Sequence, residues 1–211
     1  MKFPLLNIDG TKSNSIELSD KVVKLKINYK LIKFVIDWQL NHSKPRTAKT
    51  KQRNQIRGST KKIVAQKGSG GARHASRKAP IFVGGGVAHG PKGKVYKIKK
   101  INKKVKKLAL AQTISKKNLD KKLHILADIK KEIKKTKEFN KFLIKNNLQN
   151  ALIISDNDSL KNINKSARNI KNVKLIKHEG TNIYDLLKYE NVIITSSSAK
   201  QIQNRILNEK N

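Results

Sequence analysis

Between Asp37 and Asp120 the chain carries 23 lysines and arginines and no carboxylate. Cations without acidic neighbours suit one kind of chemistry: they neutralise phosphates and release the counterions condensed on a polyanion. The charge concentrates in 43–103, where 61 residues hold 18 basic groups and no acid. Candidate phosphate contacts on the outgoing leg are Lys44, Arg46, Lys49, Lys51, Arg53, Arg57, Lys61 and Lys62. Lys67, Arg73, His74, Arg77 and Lys78 follow, and Lys92, Lys94, Lys97, Lys99 and Lys100 stand on the return leg. Nine of the eleven glycines lie between Gly58 and Gly93, where they let the backbone turn and approach another backbone closely. Phe82 is the one aromatic in 43–95, so base stacking is not the main mode there. Folded RNA recognised by shape and backbone fits better. Ten phosphate contacts would give a log–log salt slope of about −7 to −9.

Other chemistries lack their parts. Gly68-Ser69-Gly70-Gly71-Ala72-Arg73 and Gly84-Gly85-Gly86-Val87-Ala88-His89 miss the last glycine of a dinucleotide loop and its strand-to-helix setting. In Gly90-Pro91-Lys92-Gly93, Pro91 removes a backbone donor and no hydroxyl residue follows Lys92. His42, His74, His89, His124 and His178 do not pair at metal-ligand spacing, and cysteine is absent. Asp156 and Asp158 read as a cap for the helix after them, and no serine lies in a nucleophile elbow. No catalytic residue, metal or cofactor is expected. The alternative is a nucleotide-using α/β enzyme with a basic nucleic-acid-binding insertion and a ligand near Ser155–Ser159. A DNA-coating protein is a third reading, but no zinc finger, basic zipper or helix-turn-helix is recognisable, so DNA is not expected.

The elements must hold this charge in place. The chain has 211 residues and a formal net charge of +35. Such a chain repels itself when compact and calls for a polyanionic partner. Its longest apolar runs are four residues, as in Ala151-Leu152-Ile153-Ile154, and Met1-Lys2-Phe3-Pro4 does not resemble a signal peptide. A soluble intracellular protein is expected, with no membrane partner. Segment 43–103 has eleven large apolar residues in small groups. That is too few to offset an ordering cost of about 1–2 kcal/mol per residue for the backbone. It reads as an extended arm ordered by its partner, with a reach of at most ~100 Å at about 3.3 Å per residue. Residues 1–42 and 104–211, with 31 basic and 14 acidic groups, form the expected globular α/β domain.

Short strands are expected at 3–8 and 15–18, around a turn at Asn7–Gly10. Asn28 caps an expected helix over 29–42 whose apolar face holds Leu31, Val35 and Trp38. A second helix over 103–118 brackets the arm, and the two are expected to lie side by side. Strands at 123–127, 151–154, 173–176 and 192–195 alternate with helices at 135–147, 160–170, 182–188 and 197–207. This order predicts an open, mostly parallel, Rossmann-like sheet with helices on both faces.

The string Gln66-Lys67-Gly68-Ser69-Gly70-Gly71-Ala72-Arg73-His74, then Lys78-Ala79-Pro80-Ile81-Phe82-Val83-Gly84-Gly85-Gly86-Val87, resembles the loop signature of the L-four family of bacterial large-subunit ribosomal proteins. Arg46-Thr47-Ala48-Lys49-Thr50-Lys51 resembles the start of that loop. Ala151–Ile154 with Ser166-Ala167-Arg168-Asn169, and Asn182 to Tyr189, resemble the family's later parts. Val64-Ala65 stand where the family commonly has Trp-Arg, Ser69 where it has Thr, and Gly71 where it has Arg. The resemblance implies a structural constituent that binds large-subunit rRNA and acts early in assembly. It implies that the loop lines the peptide exit tunnel, beside neighbouring large-subunit proteins that include one of the L-twenty-two family. Gln66, Lys67, Gly68, Ser69 and Gly70 match the family's tip. The implied location is the ribosome, in the cytoplasm or in an organelle that encodes its own.

Overall fold

The computed structural model describes residues 1–8, 12–93, 100–129 and 132–207. The chain divides into two compact units, Met1–Leu40 with Lys100–Asn211, and Asn41–Lys99.

The first unit is built on a six-stranded sheet in the order β2-β1-β3-β6-β4-β5. Its strands are β1 (Lys2–Leu6), β2 (Lys12–Glu17), β3 (Leu123–Leu126), β4 (Ala151–Ser155), β5 (Val173–Lys177) and β6 (Asn191–Thr195). Only β1 and β2 pair antiparallel; every other pairing is parallel. The expected turn between β1 and β2 lies partly outside the described residues. The helices are α1 (Asp20–Val23), α2 (Tyr29–Ser43), α3 (Lys103–Leu119), α4 (Thr136–Lys145), α5 (Asn157–Ala167), α6 (Ile183–Lys188) and α7 (Ser196–Leu207).

Side-chain alternation along the strands creates two cores. On one face Leu152, Ile154, Val192, Ile194 and Ile125 meet Val22, Ile32, Ala109, Leu186 and Ile202 from α1, α2, α3, α6 and α7. On the other, Ala151, Ile153, Ile193 and Leu126 meet Phe139, Phe142, Leu143 and Ile163 from α4 and α5. β4 is buried on both sides, which is why its sequence is continuously apolar rather than alternating. Each such Leu, Ile or Phe contributes roughly 1.5–3 kcal/mol by burial.

Two expected caps are present. Asn28 Oδ1 accepts from the backbone N–H groups of Lys30 and Leu31 at 3.1 and 3.3 Å. Asn182 Oδ1 accepts from Asp185 N at 2.8 Å. The acidic pair behaves otherwise. Asp156 occupies the N-cap position of α5 without a side-chain capping bond. Asp158 instead makes an exposed ion pair with Lys161 at 3.6 Å. α5 starts three residues before the expected position, and Asp158 in its first turn suits the helix dipole.

α7 is capped from a distant strand. Parallel pairing of β3 with β6 sets their carboxyl ends side by side, so Asp128 reaches the start of α7. Its carboxylate accepts from Ser196 Oγ at 2.7 Å, from Ser197 N at 3.0 Å and from the Ser197 hydroxyl. Burial pushes the Asp128 carboxyl up, but these bonds and the charge of Lys200 outweigh it and hold it below its ordinary value. Asp128→Ala is expected to cost about 0.5–2 kcal/mol, measured by urea denaturation at neutral pH. Because the folded pKa is depressed, the contribution is present above the unfolded value near 4 and is lost as pH falls through the folded one. The gap between wild type and variant should therefore close in acid.

α2 and α3 run antiparallel and are joined by long side chains at both ends. The Lys106 ammonium lies 3.5 Å from the Trp38 ring centroid, and Lys116 lies 5.0 Å from that of Tyr29. The backbone that lies against α3 is instead α1 and the segment after it. Ser115 Oγ donates to Val22 O and accepts from Leu25 N, both at 3.0 Å. Asn118 Nδ2 donates to Val23 O at 3.0 Å. α1 was not expected, because four residues are too few to show a helical period.

Candidate nucleic-acid interface

The second unit has no α-helix or regular strand among its described residues beyond the last residues of α2. It is a chain folded back on itself and held by a few backbone rungs. Lys49 and Lys92 form an isolated antiparallel bridge. Thr50 N donates to Pro91 O and Val87 N to Lys51 O, both at 2.9 Å. Further along, Gly86 N donates to Lys78 O at 3.0 Å and Ile63 N to Ala75 O at 3.2 Å. A stepped series of three-residue turns links Ser76, Ala79, Phe82 and Gly85, with N–H to C=O distances of 3.2, 3.1 and 2.9 Å.

Glycine makes this folding possible at specific points. A Cβ on Gly85 would sit 2.0 Å from Ala79 O, and one on Gly86 would sit 2.2 Å from Arg53 N. These are backbone atoms that no side-chain adjustment can clear. Gly86→Val is expected to break the contact between the two legs. The stability of the α/β unit should stay within about 0.5 kcal/mol of wild type, since Gly86 is no part of its core. A calorimetric scan beside backbone amide chemical shifts at positions 86 and 87 checks both halves.

No apolar side chain of this unit is buried among the described residues. Ile81 and Val83 are 71% and 106% exposed. Phe82 is half-buried, with His74 edge-on to it at 5.0 Å between ring centroids. The cations face outward. Lys44, Arg46, Lys49, Lys51, Arg53, Arg57, Lys61, Lys62, Lys67, Arg73, Arg77, Lys92 and Lys100 are exposed, while His74 and Lys78 are half-buried. Lys94, Lys97 and Lys99 lie outside the described residues. No described ion pair includes a cation of 44–93, as an acid-free segment requires. This is a two-legged ribbon of unpaired positive charge, and a phosphate backbone is its natural complement. Gln66 to Gly70 form an exposed tip beyond the Ile63–Ala75 rung, where Gly68 and Gly70 take positive φ angles of 84° and 64°.

The candidate enzyme site does not assemble. Ser155 is fully buried, and its hydroxyl has no hydrogen-bond partner in the structure. Ser159 Oγ is occupied as the acceptor for Ile129 N at 3.2 Å. Among the described residues no three His, Asp or Glu side chains converge as metal ligands, and no helix is long and apolar enough to cross a membrane.

A groove on the α/β unit is a further feature that no sequence period reveals. Trp38, expected on one face of α2 with Leu31 and Val35, does lie beside Val35. It is only half-buried and lines a groove with Lys106, Lys107 and Arg205. A signal was available: the acid-free stretch runs on through all of α3, well past the arm.

Residues 16–205 match the ribosomal protein L4/L1 family. The large ribosomal subunit protein uL4 of Pelagibacter ubique is 51% identical over 206 residues, covering 97% of this chain and 99% of that one. The protein of the same description from Desulforapulum autotrophicum is 39% identical over 95% of this chain and 96% of its own. That of Thermotoga petrophila is 36% identical over 97% and 95%.

Proposed function

Because the chain belongs to the ribosomal protein L4/L1 family, and is thus a structural constituent of the large ribosomal subunit rather than an enzyme, we propose that it binds large-subunit rRNA chiefly through the basic arm. In this reading 43–103 penetrates folded rRNA, and the α/β body of 1–42 and 104–211 anchors it. Lysines and arginines from Lys44 to Lys100 neutralise phosphates, and the close-packed glycines keep the ribbon narrow enough to pass between RNA helices. Gln66, Lys67, Gly68, Ser69 and Gly70 form the tip, which lines the peptide exit tunnel close to a protein of the L-twenty-two family. The arm acts early in subunit assembly, because folded rRNA must close around it rather than admit it later. The location is the ribosome in the cytoplasm.

The observation that carries this reading is the acid-free ribbon, which has no buried apolar side chain and no ion-paired cation among its described residues. Ordering such a segment leaves its self-repulsion uncompensated unless polyanion surrounds it. The test is sedimentation with large subunits under increasing salt, together with site-specific crosslinking from position 67. Retention through a high-salt wash, with crosslinks to rRNA, is expected. Release at low salt without rRNA crosslinks would refute the reading.

A further inference from the structure

Trp38 is the sole tryptophan of the chain, and it lies in a groove formed within the α/β unit. The groove encloses about 350 Å³ between α2, α3 and the start of α6. Its walls are apolar, with Val35, Leu110 and Ile183 beside the indole. Its cations are Lys106, Lys107 and Arg205, and no carboxylate is among its lining residues. The Arg205 guanidinium is held by Glu179 O at 2.8 Å and His178 O at 3.4 Å. One helical turn before Trp38, Phe34 is 58% exposed. α2 therefore presents two aromatic rings at i and i+4 beside a helix, α3, that carries no acid.

We propose that this groove receives one unstacked nucleotide of large-subunit rRNA, its base against Trp38 and its phosphate among Lys106, Lys107 and Arg205. The inference rests on the rRNA-binding reading above and extends it from the arm to the body. An aromatic face accepts any base, because every base has a π-face, and a cationic rim supplies the phosphate contacts. In the free protein the Lys106 ammonium covers the indole, an arrangement favoured by the ring quadrupole. An arriving base displaces the ammonium from the ring, and the adjoining phosphate takes it up. The same charge thus covers the ring before binding and holds the nucleotide afterwards. An acidic peptide fits the rim but makes no use of the indole face.

The test uses full-length protein and a large-subunit rRNA transcript, with emission from Trp38 as the readout. Saturating transcript is expected to quench the emission and to reduce its accessibility to acrylamide. Trp38→Leu should bind the transcript roughly tenfold more weakly than wild type, the size of a lost base–aromatic stack, and Trp38→Phe, which keeps an aromatic face, should recover part of that loss. Should Trp38→Leu fail to fold, the wild-type emission alone decides. Transcript that binds in a filter assay while emission and accessibility stay unchanged would overturn the groove and leave the arm reading standing. Absence of any transcript binding would overturn both. Poly-glutamate that quenched as strongly as the transcript would assign the groove to an acidic protein and overturn the nucleotide.

Discussion

Full-length protein is expected to lose roughly 10³–10⁵ in affinity for large-subunit rRNA between about 50 and 200 mM salt, as befits six to ten phosphate contacts. A variant with 45–100 replaced by a short glycine–serine linker should lose far less over that range, from a much weaker starting affinity. The position of the charge sets this contrast. The arm's described cations, apart from half-buried His74 and Lys78, are exposed and have no described acidic partners. The acids of the body, by contrast, spend part of its charge internally, as in Lys122–Glu190 at 2.7 Å and Lys174–Asp185 at 2.6 Å. Counterion release scales with the phosphates neutralised, so the salt slope counts contacts directly. Filter binding at four or five salt concentrations measures it. Equal slopes for the two proteins would mean that the arm contributes no phosphate contacts.

Phe139→Ala is expected to destabilise the folded body by about 3–5 kcal/mol, the usual cost of emptying a large aromatic site. Phe139 is 1% exposed, lies 5.9 Å from Phe142 between ring centroids, and shares its cluster with Leu143, Ile153 and Ile163. Helices α4 and α5 meet the sheet there, so the cavity has rigid walls on several sides. Val83→Ala in the arm removes a fully exposed side chain and should change stability by no more than about 0.5 kcal/mol. Urea denaturation of both variants sets the contrast between a unit with a core and one without. A Phe139→Ala cost below about 1 kcal/mol, or a comparable cost for Val83→Ala, would contradict it.

The body was legible because its strands and helices carry distinct periods. The run Ala151–Ile154 announces a strand buried on both faces, and Asn28 and Asn182 announce the starts of α2 and α6 by their cap chemistry. The cap of α7 was not legible. Asp128 is nearly seventy residues from Ser196, and only the parallel pairing of β3 and β6 brings them together. α1 is not legible for want of length, and helical spacing, which sets Trp38 on one face with Leu31 and Val35, does not tell that this face borders a groove. In the arm, composition foretold the missing core and the close-packed glycines. It did not reveal which legs meet, since the Thr50–Pro91 and Ile63–Ala75 rungs follow no periodic pattern.

The central claim is that folded rRNA, not an internal core, holds the arm in its shape. Amide hydrogen exchange across 45–93 tests it most directly, in the free full-length protein and again on large-subunit rRNA. Exchange within seconds is expected in the free protein, while β4 and β6 stay protected, and strong protection of the same arm amides is expected on rRNA. Slow exchange across the arm in the free protein, unchanged by rRNA, would contradict it.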